Sequence, residues 1–177
     1  LRVEGLAEGP REAAVADIAR MERLIAQLLT YVRGEDAPWT VEPLELAALA
    51  REVVMRQTAM GRAVTLTADG EHLVRGDRDH LERALTNLID NAVLYGDRAE
   101  VSVTSERGEV VCVIDDAGPG LPPDQLEAVF SPFRRLEASR SRATGGAGLG
   151  LSISRSIIER SGGRVSLSNR AEGGLRA

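Results

Sequence analysis

At residues 145–153 the chain reads GGAGLGLSI, and these glycines run directly into a helical pattern that extends from Leu151 to Arg160. Glycines let backbone N–H groups converge on an anion, and the free N–H groups and positive dipole end of a new helix point the same way. The stretch therefore predicts a phosphate site. Taken alone, a glycine-rich turn is also compatible with a plain flexible loop capped by a helix.

Two familiar classes of nucleotide site do not fit this stretch. A Walker-type P-loop needs a lysine after its glycines, whereas all 22 basic residues of this chain are arginine. A dinucleotide-binding fold has its glycines after the first strand, whereas these come late in the chain. The P-loop class is excluded and the dinucleotide class is disfavoured.

A second pattern predicts a helix over residues 77–95 with two distinct faces. One apolar stripe at helical spacing consists of Leu81, Leu85, Leu88 and Ala92. A neighbouring stripe, about 100° around the helix, consists of Ala84, Asn87, Asn91 and Tyr95. Because asparagine is a poor residue for a helix interior, the pair Asn87 and Asn91 has either a structural hydrogen-bonding role or a ligand to hold.

A third pattern predicts a buried strand that ends in two carboxylates. Five apolar residues at 110–114 are followed by Asp115 and Asp116, and then by Gly118 and Gly120. A carboxylate at a strand end suits an exocyclic amine, and the glycines allow backbone to approach a flat ligand. An ordinary aspartate-rich turn is the alternative.

A fourth pattern, FSPFRR at residues 130–135, opens an arginine-rich loop. Its basic residues, against the single acid Glu137, are Arg134, Arg135, Arg140 and Arg142. On a chain of net charge −5, this loop indicates a local anion site rather than nucleic-acid binding by the whole domain.

The order and spacing of the four patterns resemble the N, G1, F and G2 boxes of the catalytic ATP-binding domain of sensor histidine kinases, within the Bergerat-fold superfamily. The resemblance covers about residues 44–177. It implies ATP and Mg²⁺ as cofactors, with Asn87 near the phosphates, Asn91 as the Mg²⁺ ligand and Asp116 as the acceptor for the adenine amine. ATP-hydrolysing members carry a glutamate where this chain has Asn87. An amide cannot take a proton from water, so we expect slow hydrolysis.

The same resemblance implies roles for further residues. Gly118 and Gly120 are the expected close-approach positions, and the phosphate side is expected to hold Gly146, Gly148, Leu149 and Gly150. Tyr95 resembles the family's ring beside the nucleotide, and Phe130 and Phe133 resemble lid anchors. Arg135 fits the family's lid arginine, which contacts the γ-phosphate, so Asn87 and Arg135 are the expected catalytic residues.

One position departs from the family pattern. Three residues after the second asparagine, the family usually has a cation, and this chain has Leu94. The departure leaves open a nucleotide-sensing or dimerisation module with weak or no kinase activity. A serine kinase or ATPase of the same superfamily is a further alternative, which Asn87 and the preceding coiled-coil pattern disfavour.

The N-terminal segment predicts a packed helix over residues 11–33. Its apolar seam at alternating spacings of four and three consists of Ala14, Ile18, Met21, Ile25, Leu28 and Val32. Residues 1–33 resemble the end of the kinase dimerisation and phosphoacceptor hairpin, joined by a linker at 34–43 to the catalytic domain at 44–177. A complete hairpin would pair with its copy as a homodimer. An amphipathic helix folded onto its own domain is the alternative.

The histidines and the composition complete the expectation. The family's phosphoaccepting histidine lies on the first hairpin helix, and His72 and His80 are interpreted as surface or structural residues. We therefore expect an ATP-binding fragment that lacks its own phosphoacceptor. Its expected partners are a hairpin of the same protein or of its dimer partner, and a response regulator, with no nucleic acid. The single cysteine, Cys112, is expected in the core of a protein from a reducing compartment.

Together these patterns predict an α/β fold, a Bergerat-type sandwich of a mixed sheet with helices on one face, preceded by a helical-hairpin remnant. Predicted helices cover residues 44–60, 77–95, 123–130 and 148–161, and predicted strands cover 63–68, 72–75, 98–105, 109–115 and 164–169. With no signal peptide or membrane-spanning stretch in the sequence, we expect a cytoplasmic domain of an inner-membrane sensor whose spans lie outside this chain. The leading hypothesis is transfer of the ATP γ-phosphoryl group to a histidine.

Overall fold

The computed structural model describes residues 39–134 and 148–177, together with Val15 and Ile18, which are helical. The other residues of the predicted hairpin, residues 34–38 of the predicted linker, and residues 135–147 of the predicted lid, with Arg135 and Gly146 among them, lie outside the described residues.

In the described part of the chain, seven strands form two sheets. In chain order they are β1 (Glu42–Glu45), β2 (Ala63–Ala68), β3 (Leu73–Gly76), β4 (Arg98–Glu106), β5 (Glu109–Asp116), β6 (Ser168–Asn169) and β7 (Leu175–Arg176). Five of them form a mixed sheet in the order β2-β4-β5-β7-β6, with β2 parallel to β4 and the other pairs antiparallel. The strands β1 and β3 pair antiparallel in a separate two-stranded sheet.

Within residues 39–134 and 148–177, three α-helices complete the fold: α1 (Leu46–Ala59), α2 (Arg78–Gly96) and α3 (Gly150–Arg160). A carboxylate caps each of the first two, because the first backbone N–H groups of a helix lack partners. Glu45 accepts from the N–H groups of Ala47 and Ala48, and Asp77 accepts from His80 N at 3.1 Å. None of the helices in the described part of the chain has both the length and the apolar character of a bilayer span.

The core lies between the helices and one face of the mixed sheet. Along β4 the residues Ala99, Val101 and Val103 are buried, while the alternate residues are largely exposed. These three pack in one cluster with residues of all three helices, among them Leu49, Val53, Leu85, Ile89, Ile153 and Ile157. A mixed sheet with helices on one face is the predicted fold class, which the structure confirms.

Several predicted bounds differ from the observed ones. The predicted helix at 123–130 is two short 3-10 helices, Pro123–Gln125 and Ala128–Phe130. The predicted strand at 164–169 is limited to β6, and its partner β7 was not predicted, because two residues are too few to show an alternating pattern. Glu42 and Pro43, placed in the linker by the sequence, belong to β1.

The two histidines have structural contacts. His72 is only 3% exposed, and its Nδ1 lies 2.9 Å from Ser105 Oγ. His80 Nδ1 lies 2.8 Å from Asp77 Oδ1, and its ring stacks on Trp39. Cys112 is a free thiol that packs against the core.

Candidate functional site

The asparagine pair of α2 meets the first turn of α3. Ser154, fully buried on α3, has its hydroxyl 3.2 Å from Ala84 O on α2 and 3.0 Å from Gly150 O within α3, and the contact with Ala84 joins the two helices. Asn87 Nδ2 donates to the same Gly150 oxygen at 3.4 Å. A Cβ placed on Gly150 would lie 3.7 Å from Asn91 Nδ2. Both amides and the start of a helix are therefore side by side.

The first turn of α3 is open to an anion. Leu149 is the N-cap residue and is 1% exposed, and its apolar side chain cannot cap the helix. Gly148, just before it, has a φ of 72°, which favours glycine, and its carbonyl accepts from Phe133 N at 3.0 Å. Because no side chain in residues 39–134 and 148–177 caps these first N–H groups, they are suited to bind phosphate oxygens.

Asp116, at the end of β5, has one occupied and one free oxygen. The residue is 7% exposed, and its Oδ1 accepts from Gly118 N at 2.8 Å and from Leu175 N at 2.9 Å. Within residues 39–134 and 148–177, no donor bonds to Oδ2. A carboxylate oxygen that no described donor fills, on a residue that is itself largely buried, is suited to accept a hydrogen bond from a ligand amine.

Helix α2 connects this carboxylate to the asparagine pair. A Cβ on Gly96 would lie 2.7 Å from Asp116 Cβ, and a Cβ on Gly118 would lie 2.6 Å from Tyr95 O. The helical rise places Gly96 roughly 7–8 Å along the axis from Asn91. The predicted adenine acceptor and the predicted phosphate side thus lie at two positions along one helix. Tyr95, which is 45% exposed, comes between Asn91 and Gly96 in the sequence of that helix.

The glycines of the third pattern have packing reasons of their own. The contact of Gly118 with the end of α2 excludes a side chain at that position. Gly120 has a φ of 71°, and a Cβ there would lie 2.6 Å from Asn169 Oδ1. Their predicted roles beside a ligand stay predictions.

The C-terminal hairpin supports the two aspartates, and the sequence patterns did not reveal this. Arg176 Nε and Nη2 each donate to Asp115 at 2.7 Å, and Arg170 Nη1 donates to Asp116 O at 2.7 Å. The hydrogen bonds from Arg176 lower the pKa of Asp115; burial opposes them, and the charges of Arg176 and Arg170 add to the lowering. In the sequence, only the presence of Arg170 and Arg176 close to the end of the chain could have indicated that this segment contacts the two aspartates.

The site fits Mg²⁺ held mainly by phosphates and water. Among the described residues there is no group of three or more histidine, cysteine, aspartate or glutamate side chains that would form an all-protein metal site. No hydrogen bond joins the Asn91 side chain to another residue in the described part of the chain, so within that part its amide oxygen has no donor. Mg²⁺ in nucleotide sites commonly takes only one or two protein oxygens besides phosphate and water.

The aromatic residues of the fourth pattern have different environments. Phe130 is 4% exposed and packs with Val129 and Leu167, whereas Phe133 is 61% exposed with a φ of 63°. Leu94 is 43% exposed on α2. Arg135 and Gly146 lie outside the described residues, so their predicted contacts stay predictions.

A family model described as histidine kinase-, DNA gyrase B- and HSP90-like ATPase matches residues 76–177. The chain belongs to this family. It is 39% identical over 177 residues to the sensor histidine kinase GtrS of Pseudomonas aeruginosa, with 99% of this chain and 36% of that protein covered. The chain thus spans about a third of the length of this curated relative.

Solved structures show the same fold. The mycobacterial sensor histidine kinase MprB is 26% identical with a TM-score of 0.66, covering 77% of this chain and 93% of that one. Histidine kinase ThkA, solved in complex with response regulator protein TrrA, has a TM-score of 0.72 and covers 99% of this chain and 51% of that one. At 24% identity it supports the fold alone. The chain is an ATP-binding domain of the sensor histidine kinase type, as the sequence resemblance implied.

Proposed function

We propose that this chain binds ATP with Mg²⁺ at the site described above and transfers the γ-phosphoryl group to a histidine on a kinase hairpin, in the same protein or in a dimer partner. The observation that carries the proposal is the meeting of Asn87 and Asn91 with the uncapped first turn of α3. Amide oxygens and free backbone N–H groups in one place suit a metal-bound triphosphate.

Each part of the site has a proposed role. Asp116 Oδ2 accepts a hydrogen bond from the adenine amine, and the N–H groups at Leu149 and Gly150 bind phosphate oxygens. Bound Mg²⁺, held by Asn91, would neutralise phosphate charge. The sequence-derived roles of Gly118, Gly120, Gly146, Gly148, Tyr95 and Arg135 belong to the same proposal.

The reaction is a direct displacement at phosphorus. An imidazole nitrogen attacks the γ-phosphorus, the bond to the β,γ-bridging oxygen breaks, and ADP leaves with the bonding pair. The other ring nitrogen releases its proton. Asn87 cannot act as a base for water, which favours transfer over hydrolysis, and catalysis rests on positioning and charge neutralisation.

The proposal includes partners beyond ATP. The relatives are sensor proteins, and ThkA has been solved with a response regulator. We propose a response regulator as the final phosphoryl acceptor. We also propose dimerisation through the hairpin and a cytoplasmic position beside a membrane sensor.

Calorimetry tests the binding step. We expect the chain to bind ATP more tightly with Mg²⁺ than without it, and Asn91→Ala to lose the Mg²⁺-dependent part while keeping the rest. Asp90→Ala is the matched control on the same helix, because Asp90 pairs instead with Arg62 and Gln57. A folded wild-type chain that binds no ATP would overturn the proposal.

Transfer is tested separately, with radiolabelled ATP and a histidine kinase hairpin added as a second protein. We expect acid-labile label on the hairpin, because phosphohistidine is lost in acid, and no label when its histidine is replaced by alanine. ATP binding without any transfer would leave the nucleotide-sensing module as the better description.

A further inference from the structure

Arg155, on the outer side of α3, holds a segment that is distant in sequence. Its guanidinium lies 3.6 Å from the centroid of the Phe130 ring, and its two terminal nitrogens pair with both carboxylate oxygens of Glu127, one of them at 3.0 Å. The Arg155 side chain is only 22% exposed. A planar guanidinium that stacks on a ring and forms a two-pronged pair holds its partners in one orientation.

The stacking is the larger part of this contact. Glu127 is 81% exposed, and ion pairs with exposed partners contribute little to stability. Phe130 is buried, and cation–π contacts strengthen when water is excluded. Lysine at this position would keep the positive charge, but it would lose the planar group that stacks on Phe130 and the two-pronged pair with Glu127.

A second contact joins the same two stretches of chain. Phe133 N donates to Gly148 O at 3.0 Å, with Phe133 at a φ of 63°. A left-handed φ is strained for a phenylalanine, and such strain persists only where the surroundings hold it. Residues 127–133 are therefore attached to residues 148–155 at both ends of the described stretch, by Arg155 at one end and by Gly148 at the other.

We propose that Arg155 is a positioning residue for ATP, which sets phosphate affinity without touching the nucleotide. By holding Phe130 and Glu127 against α3, it keeps Phe133 in reach of Gly148 and so fixes Gly148 and Leu149 at the first turn of α3. The inference rests on the proposed ATP-binding function, because it assigns that turn to the phosphates.

The test compares three variants of the full chain by calorimetry with ATP and by NMR titration with adenosine, which lacks phosphates. In Arg155→Gln and in Arg155→Lys we expect ATP affinity to fall about three- to tenfold, with adenosine affinity unchanged. Arg164→Gln is the matched control, since Arg164 forms an exposed pair with Glu109 at 2.8 Å. It removes the same charge, and we expect no change in either affinity.

Several results would overturn the inference. ATP affinity of Arg155→Lys equal to that of the wild type would mean that charge alone matters. Equal losses for ATP and adenosine would mean general loosening of the fold. A wild-type chain that binds neither ligand would instead refute the proposed function, which is a distinct result.

A fourth variant keeps the test decisive if Arg155→Gln does not fold. Glu127→Gln keeps the stacking on Phe130 and removes only the ion pair, so we expect a smaller loss of ATP affinity and again none for adenosine. A larger loss of ATP affinity in Glu127→Gln than in Arg155→Lys, or equal losses for ATP and adenosine in Glu127→Gln, would count against the proposed positioning role of Arg155, whatever the behaviour of Arg155→Gln.

Discussion

Asp116 combines a structural and a binding role in one carboxylate. Oδ1 accepts two backbone N–H groups, from Gly118 and Leu175, and thereby holds the turn after β5 and the start of β7. Oδ2 has no donor among the described residues. Replacement by alanine would remove both roles together, so the informative substitution is the one that changes Oδ2 alone.

Asp116→Asn makes that change. Its amide oxygen can still accept the two backbone N–H groups, but an NH₂ group replaces Oδ2 and opposes the adenine amine, donor against donor. We expect ATP affinity to fall about tenfold or more, with a melting temperature close to that of the wild type. Asp124→Asn, on an exposed residue, controls for lost charge. Calorimetry showing equal ATP affinity in wild type and Asp116→Asn would refute the assignment.

A substitution at Leu94 tests whether the absence of the cation that the family usually has there limits the rate of phosphoryl transfer. It is 43% exposed on α2, so an arginine fits there without disturbing the core. We expect Leu94→Arg to raise the rate of phosphoryl transfer to an added hairpin about tenfold, with little change in ATP affinity, because added positive charge stabilises the transferring phosphoryl group. Leu73→Arg, on a leucine that is 64% exposed on β3, is the control. No gain in transfer would favour the nucleotide-sensing module.

Among the elements, the β6–β7 hairpin is the least conspicuous and is the one that fixes Asp116. Its turn contains two adjacent glycines, Gly173 and Gly174, with φ values of 89° and 94°. A Cβ on Gly174 would lie 2.0 Å from Asp116 O, whereas a Cβ on Gly173 would meet nothing within 4 Å. A side chain at Gly173 would therefore cause backbone strain alone, whereas a side chain at Gly174 would cause the same strain and also a steric clash with Asp116.

Replacing Gly173 and Gly174 separately by alanine measures the effect of the added contact with Asp116. Gly173→Ala should lower the free energy of unfolding by about 1–2 kcal/mol, through backbone strain alone. Gly174→Ala adds a clash with the Asp116 carbonyl, so we expect a larger loss of stability and, in protein that remains folded, weaker ATP binding. Urea unfolding and calorimetry on both variants check this. Equal effects of the two substitutions would mean that the hairpin does not support Asp116.

Long periodic elements could be predicted from the sequence, and short pairings could not. The helix α2 carries an apolar stripe from Leu81 to Ala92, about three turns, and the face of Asn87 and Asn91 followed directly from that period. The strand β7 has two residues and bonds Asp116 through the backbone of Leu175, which no side-chain pattern reports. The residue pattern by itself did not distinguish Asp115 from Asp116, and only the family resemblance singled out Asp116. The pairing of Asp115 with Arg176 became visible in the structure.

At the scale of the whole molecule, one polar cluster joins three distant parts of the chain. Trp39, just before β1, stacks on His80 with ring centroids 4.3 Å apart, and the guanidinium of Arg160 lies 4.4 Å from the Trp39 ring centroid. Thr40 N donates to Asp77 Oδ2 at 2.9 Å. Asp77 and His80 begin α2 and Arg160 ends α3, so the cluster ties the start of the described fold to both helices of the site.

The pKa of Asp77 predicts how this cluster responds to acid. Burial tends to raise that pKa, but hydrogen bonds from the His80 ring and from the backbone N–H groups of Thr40 and His80 outweigh it and lower the pKa from 3.8 to about 2. Because the folded pKa lies below the unfolded one, Asp77 stabilises the fold above about pH 4. This contribution is lost as the pH falls towards 2.

Asp77→Asn removes this contribution while keeping a residue that caps α2 well. We expect the variant to be less stable than the wild type by about 2 kcal/mol at pH 6, with the difference shrinking as the pH falls through 4 towards 2. Urea unfolding followed by the fluorescence of Trp39, the single tryptophan, measures it. Asp69→Asn, on an exposed residue after β2, should show no such difference. A stability difference that stays constant from pH 6 to pH 3 would mean that Asp77 acts through its cap geometry and not through its charge.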